Sequence, residues 1–394
     1  MSGRNDWHEV GGLDALDSAL DKPSTQSNPW VRALRTRAAL GLSPVVAPAA
    51  VFVPIGAILG PSFLNVLTPG LLGYLDAMVA VALAVLGIFV GLALDLRGPR
   101  DTRLFAAAGL EAVTTIVLVG GAFWYLFSAW ELPLPDGHLL TALVLGVCAS
   151  ASSAAGGDES EATSSVALRI ADLDDVLPIV VSGVLVVMLG ATEPMPLWLA
   201  IGWLFRTLML GIAIGTAGWL LFERAHSRAE RNVFIAGTVA LLGGTSAFLG
   251  LSPLLAGLMA GLLWTWLPGR ADHVVRDDLQ RVQHPLIVVL LLVAGASCQF
   301  SPQAVWLAAP LVLFRLTAKL AGGWLATRLQ GVVTAGELGM HLIAPGLFGI
   351  ALALHLLQGT RTPAMASVLT AVVVATLAAE ALALVLRPAE DPQA

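Results

Sequence analysis

Residues 164–191 read SSVALRIADLDDVLPIVVSGVLVVMLGA, and the run Asp172-Leu173-Asp174-Asp175 inside them decides how the chain is understood. Val166 to Ile170 before the run and Val176 to Leu189 after it are strongly apolar. Together they are long enough for one membrane-crossing helix, which takes about 17 to 25 such residues. If that helix starts near Ser164, a rise of about 1.5 Å per residue puts Asp174 and Asp175 roughly 15 to 17 Å deep, near the bilayer centre. Ionisable groups at that depth are costly and mark ion pathways or structural pairs. Two adjacent carboxylates there cannot comfortably both ionise, so one holds a proton unless a cation or a basic partner is present. A site where protons and metal cations compete needs that behaviour. The alternative, three aspartates in a cytoplasmic loop capping a helix, stays open on these residues alone.

The rest of the chain makes the membrane reading general. Of 394 residues 57% are hydrophobic and 12% charged, against about 25% charged in an ordinary soluble protein, so a water-facing surface cannot be built. Cys148 and Cys298 both lie in apolar runs, which leaves neither a disulfide framework nor a zinc site, and no cofactor is expected. The formal charge of -6 comes without any basic block, which excludes nucleic acid as a partner. Residues 1–42 are expected to form a polar cytoplasmic tail with Asp6, Glu9, Asp14, Asp17 and Asp21. Trp7, Val10, Leu13, Leu16 and Leu20 recur at the spacing of a short amphipathic helix, weakened by Gly11 and Gly12, but a mobile acidic tail is the preferred reading.

Turn residues and charges divide the remainder into twelve apolar stretches, at about 43–60, 72–96, 103–127, 137–155, 164–191, 194–221, 232–250, 252–268, 284–300, 303–328, 335–357 and 363–386. The seventh and eighth are parted only by Leu251-Ser252-Pro253. With an even number of crossings, seventeen Lys and Arg residues fall on one side and Arg361 alone on the other; Arg206, Arg315 and Lys319 lie within spans. Positive charge is retained in the cytoplasm, so both termini are expected there. The fold class is therefore an all-α polytopic membrane protein of about 12 transmembrane helices. Residues 43–386 are its membrane domain and 387–394 a cytoplasmic end. The longest internal loop is expected from Gly269 to Gln283.

Lys319 stands out by type, since the chain has only two lysines and the other is in the tail. Buried lysine can lose its proton and arginine in practice cannot. Lys319 is nine residues from Arg328, about 13 to 14 Å deep, which matches Asp174 and makes a salt bridge feasible; a lysine snorkelling to an interface is the other reading. Arg315, one turn away, is expected in a structural ion pair with Glu111 as its candidate partner. Two interruptions also stand out. The fourth span carries Ala149-Ser150-Ala151-Ser152-Ser153-Ala154-Ala155-Gly156-Gly157, and the eleventh carries Ala344-Pro345-Gly346. Unwound backbone inside a membrane is tolerated where it lines an ion cavity. The serines equally suit close helix packing, and Pro345 a simple kink. His341, His355, Arg206 and Glu380 read as packing or helix-end groups.

These residues resemble the bacterial monovalent cation:proton antiporters of the Kef and Nap type. Gly56-Ala57-Ile58-Leu59-Gly60-Pro61, Leu86 to Asp95, Ser150-Ala151-Ser152-Ser153, Asp174-Asp175, Gly250-Leu251-Ser252-Pro253 with Ala256 to Leu262, and Ala318-Lys319-Leu320-Ala321-Gly322 follow that family's motifs in order. The resemblance implies the inverted-repeat sodium/proton antiporter fold with two crossing broken helices, the second interrupted at Ala344, Pro345 and Gly346. It implies an ion-carrying core, about 103–191 and 303–386, moving in an elevator-like cycle against a dimerisation scaffold. Asp175 would bind the cation and proton and Asp174 would pair with Lys319, with Ser152 and Ser153 beside them. The implied partners are Na+, Li+ or K+, protons, the bilayer and a second copy, in the plasma (inner) membrane, with a role in pH homeostasis. Departures from the pattern are Ala154 in place of a proline, a shorter segment before Asp174, an additional acid at Asp172, the polar tail where relatives have a first span, and no nucleotide-binding domain after Arg387. A sodium-coupled organic-anion symporter and a non-transporting membrane sensor are the alternatives. An intramembrane aspartyl protease fits poorly, because Asp174 and Asp175 are neighbours on one helix.

Overall fold

The computed structural model describes residues 46–94, 99–130, 137–152, 170–171, 173–191, 196–267, 271–330, 342 and 347–386. Among them run twelve helices: α1 (Val46–Leu59), α2 (Pro69–Ala93), α3 (Pro99–Ala129), α4 (His138–Ser150), α5 (Val176–Gly190), α6 (Leu197–Arg224), α7 (Arg228–Phe248), α8 (Pro253–Trp266), α9 (Ala271–Ala296), α10 (Pro302–Gln330), α11 (Leu347–Thr360) and α12 (Pro363–Leu386). One helix occupies each expected stretch. Within these, Pro69–Ala93, Thr102–Ala129, Trp198–Arg224, Ala304–Arg328 and Pro363–Leu382 are long and apolar enough to cross a membrane. Five of the twelve helices are shorter, at 13 to 15 residues: α1, α4, α5, α8 and α11; each rises only about 20 Å against a hydrocarbon core of about 30 Å. Of these, α4, α5 and α11 border the segments that the sequence marks as interrupted or acidic.

The helices associate in two sets. In one, α2 packs on α7, α8 and α9, α6 packs on α7 and α8, and α1 packs on α9. In the other, α3 packs on α4 and α10, α12 on α10 and α11, and α11 on α4 and α5. The α2–α8 crossing is the tightest. Gly87 and Gly91 face Gly257 and Gly261, and a Cβ on any of the four would run into backbone of the opposite helix. Lipid gives helices no hydrophobic reason to associate, so small residues spaced four apart let dispersion and backbone contact hold them together.

Two boundaries differ from the sequence reading, and one narrow break falls where it was expected. The expected loop at Gly269–Gln283 is helical from Ala271 onward, because Val275 and Leu279 are one turn apart and both bury among Phe222, Ile235, Val239 and Trp264. The weak break between the seventh and eighth stretches is real. Gly250 turns there at φ 66, and the Ser252 hydroxyl accepts from the Leu255 N–H at 3.2 Å to start α8. The fifth stretch is not one uninterrupted helix. Ile170, Ala171, Leu173 and Asp174 are helical, Asp175 is a turn, and α5 begins at Val176. The cause is Pro178, which has no N–H to give the carbonyl of Asp174 four residues earlier. The tails at 1–42 and 387–394 lie outside the described residues.

Candidate functional site

The site grows from the end of α4. That helix stops at Ser150, and Ala151 is extended at φ -63 and ψ 130, so the last carbonyls of α4 lose their helical donors. Two cations of α10 take their place. Arg315 donates from Nη1 to the Ala149 carbonyl at 2.5 Å and from Nη2 to the Ala151 carbonyl at 2.7 Å. Lys319 donates from Nζ to the Ser150 carbonyl at 2.5 Å. Three successive carbonyls at the negative end of a helix dipole are thus met by two positive charges.

The Lys319 ammonium has three further oxygens around it. Nζ lies 2.9 Å from Glu111 Oε1 and 3.2 Å from Asp174 Oδ2, with all three side chains at 0% exposure. The Ser152 hydroxyl is 3.4 Å away, and it donates in turn to Asp174 Oδ2. Glu111 reaches in from α3, where Thr115 Oγ1 donates to its Oε1 at 3.0 Å. Gly322 leaves the room, since a Cβ there would stand 3.1 Å from Glu111 Cγ. Asp174 Oδ1 and Glu111 Oε2 are buried with no hydrogen-bond partner among the described residues. Carboxylate, hydroxyl and carbonyl oxygens brought together among buried side chains are the donor set by which proteins replace an alkali cation's hydration shell. No group of three or more His, Cys, Asp or Glu disposed to hold a metal ion occurs among the described residues.

Asp174, Lys319 and Ser152 are therefore in mutual contact. Asp175 is buried immediately after them at the N-terminus of α5. Asp172, Ser153, Ala344, Pro345 and Gly346 lie outside the described residues. The expected Arg315–Glu111 ion pair gives way to a different one: Lys319 takes Glu111, and the guanidinium grips backbone. Depth arithmetic would have found this. Glu111 is eight residues from Arg103, about 12 Å along its helix, and so level with Lys319. His355 Nε2 is 3.0 Å from Ser252 Oγ, and Arg206 lies over the Trp203 ring at 4.9 Å; both are local packing contacts.

A cavity of about 590 Å³ opens between the two helix sets, lined by Asp76, Trp203, Leu251, His355, Gln358 and Arg361 among others. Asp76 of α2 spans its mouth. Its Oδ2 receives Arg361 Nη2 at 2.9 Å and its Oδ1 receives Gln358 Nε2 at 3.1 Å. Arg361 holds a left-handed backbone at φ 53, just past the end of α11.

The transmembrane sodium/hydrogen exchanger family model matches residues 38–386. The chain belongs to that family. This exchanger is accordingly an integral multi-pass membrane protein and a cation/proton antiporter, a transporter and not an enzyme. No curated protein matches it in sequence. Among solved structures, the exchanger is similar to the sodium proton antiporter MjNhaP1 from Methanocaldococcus jannaschii at pH 8. The two are 13% identical with a TM-score of 0.61, over 90% of this chain and 96% of that one. At that identity the likeness is one of fold.

Proposed function

We propose that this exchanger moves a monovalent cation, sodium before lithium or potassium, against protons across the plasma (inner) membrane, with both termini cytoplasmic. The cation and protons compete at Asp174 and Asp175, and Lys319 is the salt-bridge partner that an arriving cation displaces. The observation that carries this reading is the buried Lys319–Asp174 ion pair beside the unwound end of α4. A buried ammonium already held by carboxylate, hydroxyl and carbonyl oxygens marks a place where a small cation is stable without water. The charge balance supports exchange. With one of the two aspartates protonated, the other balances the Lys319 ammonium, so an entering cation leaves an excess positive charge in low dielectric unless a proton departs.

The helix sets suit an elevator-like cycle. The set that holds the site, α3–α5 and α10–α12, is the ion-carrying core, and α1, α2 and α6–α9 form the scaffold on which two copies associate. No resident cofactor takes part, and cation and proton are both substrates.

Proton efflux from proteoliposomes under an imposed pH gradient, with sodium, lithium and potassium added in turn, tests the proposal. Wild type should dissipate the gradient with one or more cations, and Asp175→Asn should not. Transport retained in that variant overturns the assignment. Because protons and cation share the site, lowering pH should raise the apparent KM for the cation while maximal exchange at saturating cation changes little.

A further inference from the structure

The contact between Arg315 and the end of α4 has chemistry that the exchange reading does not use. Residues two apart in an α-helix face opposite sides, about 200° apart. One guanidinium reaches both the Ala149 and Ala151 carbonyls because Ala151 has left the helix. Arg315 is buried, and the carboxylates of Glu111, Asp174, Asp175 and Glu380 all act on its charge. Its two hydrogen bonds nevertheless go to the backbone, and its Nε has no partner among the described residues. A guanidinium placed only to neutralise those acids would turn its donors toward them. Here the planar fork, which a lysine cannot reproduce, clasps the chain on either side of Ser150. The residue after Ala151 is Ser152, whose hydroxyl donates to Asp174.

We propose that Arg315 is a positioning residue of the ion site, whose two-pronged hold on the Ala149 and Ala151 carbonyls fixes the unwound end of α4 so that Ser152 meets Asp174. This rests on the reading of Asp174 and Asp175 as the ion site. Lys319 holds the middle carbonyl and belongs to the exchange chemistry; Arg315 holds the outer two and stays put through the cycle. Without it the segment after Ser150 keeps its covalent path and loses its shape. The cost then falls on cation affinity and not on the rate at which a loaded carrier moves.

The test uses the full-length exchanger, purified and reconstituted, as wild type, Arg315→Gln and Arg315→Lys. Amide hydrogen exchange of a peptide covering residues 147–157 is compared with one from α8, and KM and maximal rate are measured for sodium, lithium and potassium. Loss of two charge-assisted hydrogen bonds should speed exchange in the first peptide roughly tenfold or more and leave α8 unchanged. The KM for the transported cation should rise by roughly tenfold with maximal rate kept within about threefold, since the lost interaction acts on binding. Arg315→Lys, which keeps one donor group near one carbonyl, should recover part of both effects. If Arg315→Gln is not obtained folded, Arg315→Lys carries the same two readouts. Unchanged hydrogen exchange in residues 147–157, or a lost maximal rate at unchanged KM, overturns the proposal. A wild-type protein that exchanges none of the three cations overturns the ion-site reading instead, and the hydrogen-exchange comparison then decides alone whether Arg315 holds the segment.

Discussion

Lys319 is the residue on which most of the buried charge depends. Its ammonium touches Glu111, Asp174, Ser152 and the Ser150 carbonyl, so replacing it with glutamine strands two carboxylates at 0% exposure. Breaking a buried ion pair by removing one partner costs about 3–5 kcal/mol, and here one cation serves two acids. Lys319→Gln should therefore lower the Tm of the purified exchanger clearly. A cation able to enter the site should stabilise the variant more than it does wild type, because it meets the oxygens without having to displace an ammonium. A thermal-shift series in sodium chloride against choline chloride measures this; equal shifts for the two proteins would mean that Lys319 does not stand where the cation goes. The lysine and its aspartate were legible from the chain as two ionisable groups at equal depth on different helices. Glu111 was within reach of the same depth argument, whereas the hold of Arg315 on the α4 backbone was not legible. Sequence shows which charges share a depth, whereas the choice of partner depends on which side chains point inward, and Gly322 makes the room for Glu111.

Among elements, the site lies where two short helices, α4 and α5, meet two long ones, α3 and α10. Twelve helices could be counted from apolar length and turn residues, since the bilayer sets a minimum length for a crossing helix and punishes charge. What that periodicity hides is where a span stops being helical. The α4 end at Ser150 lies inside a run of small residues, and small residues serve helix packing as readily as unwinding. The fifth stretch looked continuous because its hydropathy is continuous, although Pro178 removes the donor that the Asp174 carbonyl would need. Pro178→Ala restores that N–H. The variant should keep or raise its Tm, because alanine favours helix and supplies the missing donor, and should bind the transported cation less tightly, because Asp174 and Asp175 would join one regular helix. A KM for the cation equal to that of wild type would show that the break at Asp175 does not shape the site. The α2–α8 crossing offers an independent check of packing. Gly87→Val drives a side chain into the backbone of α8, whereas Gly73 has nothing within 4 Å of a Cβ position. Overpacking costs about 1–3 kcal/mol or more, so Gly87→Val should lower Tm well below Gly73→Val, which carries the same residue on the same helix.

At the scale of the whole molecule, the question is how a site buried on every side meets both sides of a membrane. Two helix sets that touch mainly through α5, α6, α8 and α11 can slide as bodies more readily than a single bundle can open. The Asp76 clasp lies across that boundary. Its carboxylate belongs to α2, and its two donors, Gln358 and Arg361, belong to the end of α11. The strained backbone of Arg361 is the kind of cost that persists where surrounding contacts hold a residue to its task. If the sets move against one another during exchange, these three residues must separate in each cycle. Asp76→Cys with Arg361→Cys tests this. A side-chain ion pair spans more distance than a disulfide allows, so a short bifunctional thiol reagent with a reducible centre is the appropriate tie; Cys148 and Cys298 are buried and out of its reach. Cross-linked exchanger should lose most of its cation-driven proton flux and regain it on reduction, while the same reagent on either single-cysteine variant leaves flux unchanged. Full flux through the cross-linked protein would mean that α2 and the end of α11 stay together throughout the cycle. Access to Asp174 and Asp175 would then have to open by movement within the core itself.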